Sequence, residues 1–159
     1  MSRLDRHAYN WHSMLALRDQ VIKDMKDWSP DIVYGVEMGG IVPATLVAKE
    51  LRHDQIGLMK LDNLGIPIPV PIPVDSILIV DDIVDTGDTM KSLVDFYQYH
   101  YPELDIRTAG YIYKSHTSTH KPDYYGMETE SNEWVVFPWE KDWVEVTENE
   151  KENTRQRTN

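Results

Sequence analysis

The sequence has no cysteine, so disulfides and thiolate metal sites are excluded from the outset. It has no apolar run near the roughly 20 residues that span a bilayer. It opens on Met1-Ser2-Arg3-Leu4-Asp5-Arg6 and passes into mixed polar residues, unlike the apolar centre of a secretory signal. Positive charge is also scarce: 16 Lys and Arg face 27 Asp and Glu, a formal net charge of −11. A surface of that sign does not suit broad binding of nucleic acid or of an anionic membrane. The expectation is a soluble protein in a reducing, cytoplasmic setting, although lack of cysteine does not by itself fix the compartment. An acidic protein that takes an anionic ligand needs backbone amides or a divalent cation to do so.

At 159 residues, 41% of them hydrophobic, the chain suits one domain with one core. We expect a single domain over 1–144. Residues 145–159 are charged, lack apolar periodicity, and read as a disordered tail. Met14, Leu15, Leu17, Val21, Ile22 and Met25 are spaced for an amphipathic helix within 9–28, stopped by Ser29-Pro30. Ile32, Val33, Tyr34 and Val36 mark a short buried strand. After Gly39-Gly40 comes a helix over 41–51, with Pro43 in its first turn, where proline is tolerated. Residues 55–61 suit a further strand. The stretch 64–74 alternates Ile and Val with prolines at 67, 69, 71 and 73, which rules out a central strand because proline gives no ladder donor. It reads as an extended connection or an edge element.

The run Ser76-Ile77-Leu78-Ile79-Val80-Asp81 is a strand of the kind buried on both faces. A helix over 88–101, a strand over 106–113 and a last short strand over 134–137 complete the order. Apolar strands alternating with helices imply an α/β fold, a mainly parallel twisted sheet flanked by helices.

The chemistry is concentrated in Ile77-Leu78-Ile79-Val80-Asp81-Asp82-Ile83-Val84-Asp85-Thr86-Gly87-Asp88-Thr89-Met90. A buried strand ends in adjacent carboxylates, continues into a Gly/Thr loop, and opens a helix. In an open parallel sheet ligands collect beyond the carboxyl ends of the strands. The loop can aim several N–H groups and two hydroxyls at one anion, and the helix N-terminus favours negative charge. Adjacent carboxylates accept hydrogen bonds from vicinal hydroxyls or bind them through Mg²⁺. Phosphate loop and diol acceptors side by side describe a phosphoribosyl group.

This fourteen-residue pattern closely resembles the signature of the type I phosphoribosyltransferases, and the chain is similar to their purine branch over about 31–140. The resemblance implies that family's fold, including a small hood region. It implies that Asp81, Asp82, Asp85, Thr86, Gly87, Asp88 and Thr89 hold the phosphoribosyl group, and that Asp85 handles the proton of the base. In Val36-Glu37-Met38-Gly39-Gly40 it implies a pyrophosphate turn at Met38, Gly39 and Gly40, often with a non-proline cis peptide. Met38 departs from the Arg or Lys common there, and Asp88 from the Lys, Gly or Ala common in the loop. Lys114 matches a lysine that donates to the exocyclic oxygen of a 6-oxopurine. In Trp134-Val135-Val136-Phe137-Pro138-Trp139-Glu140, Trp134 would stack on the purine, Val135 would read its edge through the backbone, and Glu140 would help hold Mg²⁺.

The metal set implied is Asp81, Asp82 and Glu140, with Mg²⁺ the only cofactor. The partners implied are phosphoribosyl pyrophosphate and a purine base, in a homo-oligomer, dimer or tetramer. The implied activity is phosphoribosyl transfer to guanine, xanthine or hypoxanthine. The alternative is a non-catalytic member of the fold that senses nucleotides, favoured by Met38 and by the prolines of 64–74, where the family carries a mobile loop. His116 and His120 lie four apart, but their Ser/Thr-rich setting before Pro122 reads as a loop, not a metal-binding helix.

Overall fold

The computed structural model describes residues 6–140. Ten elements follow in order: β1 (Arg6–Ala8), α1 (Trp11–Met25), β2 (Ile32–Val36), α2 (Ile41–Glu50), β3 (Ile56–Met59), β4 (Ser76–Val84), α3 (Asp88–His100), β5 (Asp105–Lys114), β6 (Tyr124–Thr129) and β7 (Trp134–Val136). The described residues form two compact units, one of residues 15–130 and a smaller one of 6–14 with 131–140. The larger holds a five-stranded sheet in the order β3-β2-β4-β5-β6, every neighbouring pair parallel. The smaller holds β1 paired in parallel with β7, with Ala8 opposite Val136.

β4 is the centre of the large sheet, and its apolar run explains why. Ile77, Leu78, Ile79 and Val80 are all fully buried, as a strand covered on both faces requires. Successive side chains point to opposite faces. Ile77 and Ile79 join Met90, Leu93 and Tyr97 of α3 in one core cluster. α2 packs against β2, β3 and β4, burying Pro43, Ala44, Val47 and Ala48. In α1, Met14, Leu17, Val21 and Met25 are buried at helical spacing. α1 starts at Trp11 because Asn10 caps it, its Oδ1 accepting from Ser13 N at 2.8 Å.

Two strands are additional to those read from the sequence, and one is longer. β6 carries Gly126, a weak strand residue in isolation. A Cβ there would crowd Leu17 and the Tyr111 carbonyl, so the glycine marks close approach of α1. β1 has only three exposed residues and exists through pairing with β7. β4 continues past the acids to Val84, with Ile83 opposite Ile112 and Val84 opposite Tyr113 on β5. The tail at 145–159 lies outside the described residues.

The proline stretch forms no strand among the described residues, only an isolated antiparallel bridge between Leu61 and Pro67. Pro69, Pro71 and Pro73 face outward while Ile72 is buried. The stretch is tied to α3: Val70 N donates to the Tyr97 hydroxyl at 3.1 Å, and that hydroxyl donates to the Ile68 carbonyl at 3.4 Å. Tyr97 is itself fully buried. Tyr97→Phe is expected to leave the Val70 N–H without its acceptor and to lower stability by about 1–2 kcal/mol. Urea unfolding should show a lower midpoint at unchanged slope; an unchanged midpoint would mean the stretch is held by packing alone.

Candidate functional site

The acids in the C-terminal half of β4 go to different neighbours, as strand alternation demands. Asp81 lines an open cleft of about 110 Å³ with Ile83, Val84, Asp85, Thr86, Gly87, Thr89 and Met90. Asp82 is only 7% exposed and its carboxylate lies against Gly39, where any Cβ would collide with it. The backbone secures both side chains: Asp82 N donates to Asp81 Oδ1 at 2.9 Å, and Ile83 N to Asp82 Oδ1 at 2.7 Å. Burial, and then the charge of Asp82, raise the Asp81 carboxyl well above its ordinary value of 3.8.

Past Val84 the chain turns into α3. Gly87 caps that helix at φ +81, a left-handed conformation that glycine adopts without penalty. Thr86 Oγ1 accepts from Asp88 N at 3.3 Å, and Asp88 is exposed. Asp88 also sits in the first turn of α3, where a carboxylate suits the helix dipole.

Lys114, at the end of β5, is not the surface lysine that a lone lysine after a strand usually is. It is 8% exposed, and its Nζ donates to Asp85 Oδ2 at 3.2 Å. A buried ammonium needs such a partner. The loop after Lys114 was not recognised from the sequence as part of the site. Thr117 Oγ1 lies 2.9 Å from Asp85 Oδ1 and 3.0 Å from the Asp85 carbonyl. Thr119 N donates to the Thr86 carbonyl at 2.8 Å. Gly87 leaves no room for a Cβ beside Ser118 and His120. Burial holds the His120 imidazole below its usual pKa, and its Nε2 is 3.3 Å from Thr108 Oγ1. The only sequence signal for this contact is the density of Ser and Thr over 115–119.

The turn between β2 and α2 carries a cis peptide between Glu37 and Met38. Glu37 N donates to the Met59 carbonyl at 2.8 Å, and Gly40 N to the Val36 carbonyl at 2.9 Å. The sequence suggests that paired glycines admit a phosphate; the structure adds a second reason for them. A Cβ on Gly39 meets Asp82, and one on Gly40 meets the backbone of Val80 and Val36. Met38 is 82% exposed. Lys60, from the end of β3, brings a cation to this turn, its Nζ 3.8 Å from Glu37 Oε2.

The larger unit therefore gathers Asp81, Asp85, Thr86, Gly87 and Thr89 in one cleft, with Lys114 on Asp85 and with Asp82 against Gly39. Trp134, Val135 and Glu140 belong to the smaller unit. There Trp134 is 59% exposed, and Glu140 Oε2 accepts from Phe137 N at 3.2 Å. Among the described residues no three His, Asp or Glu side chains are gathered to hold a metal ion, and no helix is long and apolar enough to cross a membrane. The stretch 116–120 is a loop, as its composition suggests.

A family model described as "Phosphoribosyl transferase domain" matches residues 15–145. The xanthine-guanine phosphoribosyltransferase of Cereibacter sphaeroides is 28% identical over 120 residues, 68% of each chain. The purine phosphoribosyltransferase structure from Pyrococcus horikoshii aligns at 26% identity and a TM-score of 0.68, covering 85% of this chain and 94% of that one. The Helicobacter pylori xanthine-guanine-hypoxanthine phosphoribosyltransferase has the same fold, with a TM-score of 0.77 at 20% identity over 92% of this chain and 99% of that one.

The raised Asp81 carboxyl makes stability depend on pH. Folding raises its pKa, so its contribution is fully favourable below the unfolded value and is lost as pH rises through the folded value. Asp81→Asn keeps the acceptor for Asp82 N and removes the charge. It is expected to be more stable than the parent at pH 7, with the gap closing below about pH 4. Urea melts across that range test this, and a gap independent of pH would show that ionisation of Asp81 is not its source.

Proposed function

The chain belongs to the phosphoribosyl transferase family, and on that premise we propose that it transfers the 5-phosphoribosyl group of phosphoribosyl pyrophosphate to a 6-oxopurine. The observation that carries this reading is the cleft at the C-terminal part of β4, where Asp81 and Asp85 meet the phosphate-type loop and the buried Lys114 donates to Asp85. The relatives named above support the choice of a purine, since each bears a purine in its name.

In this reading the amides and hydroxyls of 85–89 cradle the 5-phosphate at the start of α3. Asp81 and Asp82 accept hydrogen bonds from the ribose hydroxyls, whose donors offset the unfavourable charge of the buried pair. A purine ring nitrogen forms its bond to the anomeric carbon as the bond from that carbon to pyrophosphate breaks. The proton on the attacking nitrogen passes to, or is held by, the Asp85 carboxylate. Lys114 Nζ, already oriented by Asp85, has further protons to donate to the exocyclic oxygen of the base. Trp134 offers an exposed aromatic face of the kind that stacks on a flat base, and Val135 its backbone groups.

The donor chemistry also fits Mg²⁺. Two adjacent carboxylates, one of them buried with its pKa raised, form an oxygen set that a hard cation and ribose hydroxyls together would relieve. Asp81 and Asp82 are the residues proposed to hold it, and when bound it would supply charge neutralisation of the pyrophosphate leaving group.

A second reading, a nucleotide sensor without turnover, is favoured by Met38 in the pyrophosphate turn and by how the 64–74 stretch is held. The 64–74 stretch is fastened to Tyr97, whereas a loop that closes over a reaction has to move. Pyrophosphate release from phosphoribosyl pyrophosphate with Mg²⁺, tried separately with guanine, hypoxanthine, xanthine, adenine and orotate, separates the two. Release that requires an oxopurine is the expected result; none with any base, but saturable nucleotide binding, gives the sensor. Lys114→Ala should lower kcat/KM for the oxopurine by at least about tenfold while leaving the KM for phosphoribosyl pyrophosphate nearly unchanged. Loss of donor affinity instead would displace the base pocket from Lys114.

A further inference from the structure

We propose that Thr117 is a positioning residue that fixes the plane of the Asp85 carboxylate for the base, an inference that rests on the proposed transfer reaction. A carboxylate held through one oxygen can still turn about its Cβ–Cγ bond. Asp85 is held through both: Lys114 Nζ donates to Oδ2 at 3.2 Å, and the one Thr117 hydroxyl proton is shared between Oδ1, at 2.9 Å, and the Asp85 carbonyl, at 3.0 Å.

One turn delivers both donors. Thr117 N and Ser118 N both donate to the Lys114 carbonyl, at 3.3 and 3.0 Å. Lys114 and the Thr117 hydroxyl are thereby presented to the same side chain. The turn is itself fastened to the phosphate-type loop, because Thr119 N reaches the Thr86 carbonyl at 2.8 Å and Thr119 Oγ1 reaches it at 3.2 Å. Gly87 completes the fit, since any larger residue would push Ser118 and His120 away.

The two holders have different duties in the reaction. Lys114 is asked to turn part of its hydrogen bonding to the base, which loosens its hold on Asp85. Thr117 has no such second role, so its hydroxyl keeps Asp85 aimed at the ring nitrogen when the base is bound. Misaiming a proton acceptor slows the chemical step without weakening attachment of the phosphoribosyl donor.

The test uses Thr117→Val, which keeps the shape and removes the hydroxyl, with Thr117→Ser as the conservative control. Thr117→Val is expected to lower kcat about tenfold with the KM for phosphoribosyl pyrophosphate within about twofold, and Thr117→Ser to restore kcat. In an Asp85→Asn background, Thr117→Val should cost little more. An equal loss in both backgrounds, or a loss confined to donor KM, overturns the proposal. A crystal structure of Thr117→Val gives a readout that needs no turnover: the Asp85 carboxylate is expected to rotate from its present plane, and an unmoved carboxylate overturns the proposal. Should the unsubstituted protein turn over no base, the transfer reaction fails by itself, and the Asp85 plane still decides the role of Thr117.

Discussion

Two aspartates side by side after the fully buried Ile77–Val80 run of β4 are the constraint to which the surrounding structure answers. β4 brings Asp81 and Asp82 to the top of a sheet covered on both faces, where water cannot fully solvate them. Alternation then sends one carboxylate to the loop that begins α3 and the other to the turn that begins α2. Gly39 and Gly40 follow from that division, because only a residue without a Cβ leaves room for Asp82 and for the end of β4. A pair of charges kept in so unfavourable a place, with the Asp81 carboxyl raised well above its ordinary pKa, is more readily understood as a ligand site than as a device of stability.

The same strand end organises the second electrostatic feature. Asp85 lies three residues beyond Asp82, past the turn of the chain, and meets Lys114 from the neighbouring strand β5. Burial of Lys114 would be unfavourable without that carboxylate, and the carboxylate is oriented by the lysine in turn. The 114–120 loop closes over this pair and grips the backbone at Asp85 and Thr86. Sheet, the 85–89 loop and the Lys114–Asp85 pair are thus linked by hydrogen bonds into one connected arrangement.

Much of this was legible in the sequence because it rests on local pattern. The Ile-Leu-Ile-Val run announced β4, the Asp-Thr-Gly-Asp-Thr segment announced a loop opening a helix, and the prolines of 64–74 excluded a central strand. β6 was not legible, since Tyr124 to Thr129 lacks strong alternation and contains Gly126, whose purpose appears only against α1. Lys114 could be matched by position, but its burial and its bond to Asp85 depend on a contact 29 residues away in sequence. Thr117 was invisible for the same reason: a hydroxyl in a loop has no periodicity, and its partner is set by how β4 and β5 lie in register. That residue 38 is Met and not a cation is visible in the sequence, whereas the approach of Lys60 to the same turn required β3 to be placed beside β2.

Calorimetric titration of ribose 5-phosphate against 2-deoxyribose 5-phosphate, at one Mg²⁺ concentration, asks whether the acid pair is kept for a diol. The deoxy sugar keeps the phosphate for the loop but removes one hydroxyl donor from the carboxylates. Weaker binding of the deoxy compound, by at least about tenfold, is the result expected if Asp81 and Asp82 accept from both hydroxyls. Equal affinities would contradict that assignment and leave the buried acids without a ligand to explain them.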